Sequence, residues 1–244
     1  MVAINTELTV GQLVVERPAR ARVFERLGID YCCGGKIPLS QACEKKGLAL
    51  DVVVQALEVA EFSSPRDRNW ANASLTELAN HIQETHHAYL KEELPRLEFF
   101  LNKMANKHGP TQPHIVELRD VFVAFKAELE QHMLKEEQIL FPLCRQLDAA
   151  DGPVSFHCGS IENPIAVMVR EHDDAGHAME RMRELTNGYH APEDACNTYR
   201  AVFYSLGELE ADMHQHVHKE NNILFPKAIA AETAAASATA ACAE

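Results

Sequence analysis

The segment QHMLKEEQILFP, residues 131 to 142, returns as QHVHKENNILFP at residues 215 to 226, with eight of its twelve residues unchanged. The copies lie 84 positions apart, and such a repeat indicates that one structural unit is used twice. Each copy holds a histidine followed four residues later by a glutamate, namely His132 with Glu136 and His216 with Glu220. This spacing is about one helical turn, so each pair lies on one face of a helix.

Apolar residues continue the same face on both sides of each pair, at alternating steps of three and four residues. The first stripe begins at Leu118, passes through His132 and Glu136, and is expected to continue to Ile139 and Leu143. The second copy repeats this arrangement. A histidine and a glutamate therefore occupy positions at which a core helix normally carries apolar side chains.

Two further histidines, His87 and His172, take similar positions on two other helical patterns. Each precedes the histidine of the following copy by nearly the same interval, 45 residues in the first half and 44 in the second. The repeat is therefore a pair of helices used twice. His86 continues the apolar stripe of its helix as well as His87 does, so the residues alone leave the choice between these two open.

Four long helical patterns, separated by segments rich in Gly, Pro, Asn and Asp, are expected over residues 74–107, 113–147, 163–187 and 193–230. The first opens with Ser74 and Glu77 at the spacing of a capping box. Pro113, Pro164 and Pro192 mark the expected starts of the other three. Four such helices joined by modest loops predict an all-α fold built on an antiparallel four-helix bundle.

The chain is expected to divide into a small N-terminal helical domain over residues 1–66 and the bundle over residues 74–230. Residues 63–73 are polar and contain a proline, so this segment is expected to be a linker. The alanine-rich tail, residues 231–244, has few large apolar side chains to bury and is expected to be disordered.

The composition excludes several classes of function. Hydrophobic residues make up 46% of the 244 residues, which is enough for a real core and excludes disorder throughout. The formal charge of -13 leaves no basic surface for nucleic acid. No apolar run approaches the roughly 20 residues that cross a bilayer, and no export signal opens the chain, so a cytoplasmic protein is expected. Its seven cysteines are an odd number and are expected to be reduced.

Two carboxylates and four imidazoles inside a bundle need a compensating positive charge. An unpaired ionised carboxylate in an apolar interior costs several kcal/mol, so two of them could cost the whole stability of a domain. No Lys or Arg lies on the stripes near the His–Glu turns, which indicates a bound cation. Six nitrogen and oxygen ligands exceed the four of a tetrahedral zinc site, and imidazole favours iron over magnesium or calcium. The expected cofactor is therefore two non-haem iron ions, with the ligands His87, His132, Glu136, His172, His216 and Glu220.

Each of these residues also has an ordinary structural explanation. A single histidine on an apolar stripe is most often a hydrogen-bonded core histidine, and a single buried glutamate can be protonated or salt-bridged. The duplicated pattern, with a matching histidine on each preceding helix, is much more specific for a metal than any of its members. His214 and His218 flank His216 but lie off the stripe, so they are expected to face outward.

At these motifs the sequence resembles the haemerythrin-like superfamily and, within it, the iron–sulfur cluster repair di-iron proteins. The motifs that carry the resemblance are DYCCGGK at residues 30–36, HMLKEEQILFP, EHDDAG at residues 171–176 and ENNILFP, and together they cover nearly the whole chain. The resemblance supports His87 as the first ligand, because the family's ligand lies eight residues before a Leu-Pro proline, here Pro95.

This resemblance implies that the four histidines are terminal ligands and that Glu136 and Glu220 bridge the two irons. It further implies a homodimeric, cytoplasmic stress-response protein that helps to restore iron–sulfur proteins damaged by nitric oxide or oxidants. The matched set has fewer histidines than oxygen-carrying haemerythrins, which argues against simple oxygen transport.

Cys32 and Cys33 are candidate reactive residues. Their Cα atoms are about 3.8 Å apart as chain neighbours, which is shorter than the usual disulfide range, so a bond between them would be strained and easily reduced. Gly34 and Gly35 allow a tight turn that could present thiolates to a metal, to nitric oxide or to a partner. The alternative is that two small residues simply pack beneath a loop. The family resemblance favours the functional role.

Three functions are compatible with this centre. Two histidines and two shared glutamates leave each iron short of six ligands, so positions remain for an oxo bridge, water, oxygen or nitric oxide. The preferred hypothesis is a non-enzymatic protein that holds labile iron and donates it to damaged iron–sulfur proteins. The second is a protein that scavenges or senses nitric oxide or oxygen. The third is an enzyme that reduces nitric oxide.

Overall fold

The structure is a computed structural model that describes residues 4–60, 70–150, 152 and 154–241, and the regular secondary structure in these residues is helical. The all-α class predicted from the sequence is therefore confirmed. The chain forms two compact units: unit 1 comprises Met1–Leu78, Leu147–Val154 and His214–Glu244, and unit 2 comprises Ala79–Gln146 and Ser155–Met213. Among the described helices, none combines the length and the apolar character that crossing a membrane requires.

Four short helices open unit 1: α1 Val10–Glu16, α2 Ala21–Leu27, α3 Leu39–Lys46 and α4 Leu50–Ala60. Thr9 begins α1 with a capping box, in which its hydroxyl accepts from the Gln12 amide and the Gln12 side chain accepts from the Thr9 amide. Helix α2 is capped at its C-terminus by Gly28, whose φ of 64° is the left-handed conformation that favours glycine. Their shared core is built around Leu13, Phe24 and other fully buried side chains.

Each segment predicted as a long helix is helical, but three of them are interrupted by a π-helical turn. The first consists of α5 Leu75–Ile82, the π turn Gln83–His87 and α6 Ala88–His108. The second consists of α7 Pro113–Lys135, the π turn Glu136–Leu140 and α8 Phe141–Ala149. The third is α9 Glu162–Leu185, and the fourth consists of α10 Asn197–Lys219, the π turn Glu220–Leu224 and α11 Phe225–Ala241.

Of the four predicted helix starts, two are met and one is wrong. The remaining one, Pro164, lies two residues inside α9, which begins at Glu162. The capping box at Ser74 and Glu77 is present, with both backbone-to-side-chain distances at 3.1 Å. Pro113 is the first residue of α7. Pro192 does not open α10, because the amide of Ala195 bonds back to the Pro192 carbonyl in a turn and the helix begins at Asn197.

The predictions for the linker and for the alanine-rich tail have different outcomes. Of the linker expected over 63–73, residues 63–69 lie outside the described residues, and Trp70–Asn72 form a single 3₁₀ turn. In the tail expected to be disordered, α11 continues through Ala241. Alanine has the highest helix propensity, and extending an existing helix requires no new nucleus, which explains this difference.

Unit 2 contains the packed helices that hold most of the predicted site. Helix α6 packs against α7, and α7 packs against α9. Their contact faces carry the predicted apolar stripes, including Leu94 and Leu97 from α6, Phe122 from α7, and Met179 from α9, all of which are buried. The polar positions on these stripes therefore point into the interior of the unit.

Candidate metal centre

In unit 2, three helical segments bring histidine nitrogens to one carboxylate. Nε2 of His87 lies 3.3 Å from Oε2 of Glu136, and Nε2 of His132 lies 3.4 Å from the same oxygen. Nε2 of His172 lies 3.1 Å from Nε2 of His132. The donor atoms of His132, Glu136 and His172 all lie within 4.8 Å of one another. All four side chains are buried, so these four predicted ligands are assembled in one interior cluster.

Two carboxylates next to the cluster orient its imidazoles. Nδ1 of His87 lies 2.8 Å from Oε1 of Glu137, and Nδ1 of His132 lies 2.9 Å from Oε2 of Glu171. Because a carboxylate accepts, each Nδ1 donates its proton, which leaves the lone pair on Nε2. In both rings that lone pair is directed at the cluster, which is the usual arrangement of a metal-binding histidine.

A lysine in turn neutralises each orienting carboxylate. Nζ of Lys91 donates to Glu137 at 2.6 Å, and Lys135 pairs with Glu171. Burial on its own would raise the pKa of both carboxyl groups, but the hydrogen bonds from lysine and histidine outweigh it and lower each pKa below its ordinary value. Both carboxylates are therefore ionised at neutral pH.

In unit 1, the second copy of the repeat places His216 and Glu220 one turn apart. Nε2 of His216 lies 3.0 Å from Oε1 of Glu220, and both side chains are completely buried. The pair reproduces the relation between His132 and Glu136 in the first copy. Neither glutamate faces solvent.

The π turns were not predicted from the sequence. Two of them begin at the glutamates, at Glu136 and Glu220, and the third ends at His87. A π turn adds one residue to the helical repeat and is common at functional sites. This extra residue shifts the phase of the stripe, so Leu140 is buried where Ile139 was expected, and Ile139 is 37% exposed.

His86 and His87, the two candidates on the first long helix, have different partners in the structure. His87 contacts Glu136 and stacks on Phe141, with ring centroids 5.5 Å apart. Nδ1 of His86 lies instead 2.8 Å from Asp212. His87 therefore belongs to the cluster, whereas His86 pairs with Asp212.

The prediction that His218 faces outward is wrong. Its side chain is 4% exposed, and its ring packs edge-on against Tyr31 at a centroid distance of 5.3 Å. The ring of His214 also contacts Tyr31, at 6.0 Å. The periodicity of one helix cannot reveal that another part of the chain covers its outer face.

The cysteine pair lies in unit 1. The sulfurs of Cys32 and Cys33 are not joined in a disulfide and lie 3.7 Å apart, with Cys32 buried and Cys33 partly exposed. The carboxylate of Asp30 accepts from the backbone amides of Cys32, Cys33 and Gly34, which shapes the loop. The hydrogen bond between the sulfurs, with burial, raises the pKa of Cys32 well above its ordinary value, so this thiol is protonated at neutral pH.

The donors present fit a transition-metal ion. Imidazole nitrogens combined with carboxylate oxygens suit iron, whereas the all-oxygen shells of magnesium and calcium do not use imidazole. A cation would also offset the charge of a buried carboxylate. A cavity of about 420 Å³ opens beside His132 and His172, with Glu128, Lys135 and Glu171 in its lining. Two of the four residues of the cluster therefore line this cavity.

Two family matches cover most of the chain. Residues 78–228 match the family described as the hemerythrin HHE cation binding domain. Residues 6–61 match a family described as a domain of unknown function. The first match agrees with the haemerythrin-like bundle expected from the repeat.

Several curated relatives that are named iron-sulfur cluster repair protein YtfE are similar to this chain over nearly their full length. The relative from Pectobacterium atrosepticum is 38% identical over 224 residues, which cover 92% of this chain and 97% of the relative. That from Escherichia coli is 37% identical over 224 residues, covering 91% and 97%. That from Musicola paradisiaca is 34% identical over 226 residues, covering 93% and 98%.

Proposed function

The chain belongs to the hemerythrin HHE cation-binding family, and on that premise we propose that it is a di-iron protein that supplies iron to damaged iron–sulfur clusters. The observation that carries the proposal is the buried cluster of His87, His132, Glu136 and His172, whose donor atoms converge in unit 2. The relatives named for cluster repair match this chain along nearly their whole length, which supports the same function.

We propose that His216 and Glu220 complete the centre with the four ligands of unit 2. The sequence repeat supports this, because the two His–Glu pairs are equivalent positions of one motif. When bound, two irons would supply Lewis-acidic, redox-active ions with incomplete coordination shells. Glu136 and Glu220 would be shared between them, as the family resemblance implies.

The residues around the centre would keep its ligands ready for metal. Glu137 and Glu171 hold His87 and His132 in the tautomer that directs a lone pair inward. Lys91 and Lys135 keep those carboxylates ionised by pairing with them. Iron would leave through the cavity beside His132, which has acidic side chains in its lining.

We propose that the loop with Cys32 and Cys33 acts on the damaged target, by docking it or by receiving iron for it. Cys33 is partly exposed, while Cys32 is buried with a protonated thiol, so the loop must open for both sulfurs to act. The six described cysteines form no disulfide, which fits the cytoplasmic location that we also propose. A homodimer stays a proposal, which light scattering can test.

The experiment is reactivation of an enzyme whose iron–sulfur cluster has been damaged by nitric oxide. Iron-loaded protein should restore activity beyond an equal amount of free ferrous iron. The variant His172→Ala should fail, whereas His177→Ala, which removes an exposed histidine of the same helix, should behave like the parent. Reactivation no better than free iron would contradict iron supply.

The cavity beside His132 and His172 favours one alternative, a protein that binds nitric oxide or oxygen at the centre. In that case the iron would stay bound in the presence of a chelator, and nitric oxide would give a stable absorption spectrum. Multiple turnovers with an electron donor would instead identify a nitric oxide reductase.

A further inference from the structure

The two copies of the repeat differ on the face that lies opposite their ligands. Leu134 and Gln138 of the first copy correspond to His218 and Asn222 of the second. In the first copy this face is open, since Leu134 is 43% exposed and Gln138 is exposed. In the second copy His218 is buried and Asn222 is half-buried. One of two equivalent helix faces is therefore covered.

Within unit 1, the covering residues come from the start of the Cys–Cys–Gly–Gly loop. Nδ2 of Asn222 donates to the carbonyls of Tyr31 and Cys32, each at 3.4 Å. Nδ1 of His218 lies 3.4 Å from the same Tyr31 carbonyl. The side chain of Gln215 donates to the Tyr31 hydroxyl at 2.8 Å. Three side chains at successive turns of the helix therefore hold one loop.

Helix α1 also contacts the cysteine loop and Asn222. The amide of Gly11 donates to the Gly35 carbonyl at 2.8 Å, which fixes α1 to the end of the loop. A Cβ on Gly11 would lie 2.4 Å from Oδ1 of Asn222, so only glycine allows this approach. Asn222 is therefore enclosed between α1 and the cysteine loop.

Asn222 lies in the π turn that begins at Glu220, and His218 lies two residues before that glutamate. We infer that Tyr31 and Cys32 position Glu220 through His218 and Asn222, so that the cysteine loop controls how firmly this side of the centre holds iron. The inference rests on the proposed function in taking Glu220 as an iron ligand. It makes Tyr31, His218 and Asn222 positioning residues.

Measurements on other metal sites indicate how much iron affinity should change. Removing an outer partner that orients a ligand typically reduces metal affinity about 10- to 100-fold. The turn at Glu136 provides an internal reference, because its outer face carries the exposed Leu134 and Gln138. Loosening the cysteine loop should therefore affect iron retention, whereas the equivalent changes in the first copy should not.

The test is the rate at which iron-loaded protein releases iron to the ferrous chelator ferrozine. Asn222→Ala and His218→Leu, the latter giving the residue of the first copy, should release iron about tenfold faster or more. The matched variants Gln138→Ala and Leu134→Ala should release it at the parent's rate. Asn222→Gln keeps an amide donor and should be slower than Asn222→Ala.

Gly11→Ala tests the same contact without altering the ligand helix, since the new methyl group must displace the Asn222 side chain. It should also accelerate release, with circular dichroism showing a folded protein at the assay temperature. Parent-like release in both Asn222→Ala and Gly11→Ala would overturn the inference, as would equal acceleration in the first-copy variants. Because this readout requires bound iron but no cluster enzyme, a failure of cluster repair would count against the proposed function alone.

Discussion

Replacing Glu137 with alanine should weaken iron binding, although this residue is not itself a proposed ligand. Its carboxylate lies 2.8 Å from Nδ1 of His87 and 2.6 Å from Nζ of Lys91, and its side chain is 17% exposed. Without it, His87 loses the acceptor that keeps its lone pair on Nε2, so a proton shift and ring rotation become accessible. Loss of such an orienting partner corresponds to about 10- to 100-fold in affinity, or roughly 1.4 to 2.7 kcal/mol.

The assay is a competition titration in which a calibrated ferrous chelator and the protein share a fixed amount of iron. The control is Glu98→Ala, which removes a carboxylate from an ion pair with Lys126. Glu137→Ala should lose iron at the lower chelator concentration, and Glu98→Ala should match the parent. Equal affinity in the two variants would refute the reasoning that Glu137 orients His87.

Three further results are expected. Phe141→Ala should cost about 3 to 5 kcal/mol in urea unfolding, because its fully buried ring also stacks on His87; a cost below about 1 kcal/mol would contradict that packing. Asp148→Ala should cost about 1 kcal/mol at pH 7, since Asp148 accepts from the amides of Leu75 and Thr76 at the start of α5. Burial alone would raise the pKa of Asp148, but those hydrogen bonds lower it below its ordinary value. Its contribution to stability is therefore present above the ordinary pKa, and the difference from the parent should vanish as the pH falls through the lowered pKa of the folded state. Removing iron with a chelator should lower the Tm of the parent, because a ligand that binds only the folded state stabilises it, and an unchanged Tm would show that no such ion was bound.

The candidate ligands could be predicted from the sequence where polar residues interrupt an apolar stripe. His132, Glu136, His172 and His216 stand out because apolar stripes surround them, and a buried charge needs a physical reason. The duplication made the pattern specific. The apolar stripe alone does not separate His86 from His87, because both positions are buried and only their partners distinguish them.

Other parts of the site could not be read from periodicity. A π turn leaves no distinct residue signature, so the burial of Leu140 in place of Ile139 was unexpected. The orienting carboxylates Glu137 and Glu171 lie off the stripes and look like ordinary solvated residues. Their one sequence signal is that each is adjacent to a proposed ligand.

The covered outer face of the second copy illustrates the same limit. Helical phase predicts which side of a helix meets its neighbours in the bundle, but docking of a separate segment depends on tertiary structure. The substitution of Leu134 by His218 between the copies was the available signal. A histidine in place of an exposed leucine at an equivalent position indicates a different environment.

The most direct test of the central claim is metal analysis of freshly purified protein, combined with its Mössbauer spectrum. The parent should contain two irons per chain in a coupled non-haem site, and the double variant Glu136→Ala, Glu220→Ala should contain essentially none while staying folded. A parent without iron, or a folded double variant that keeps the parent's iron content and spectrum, would contradict the assignment of these glutamates to the centre.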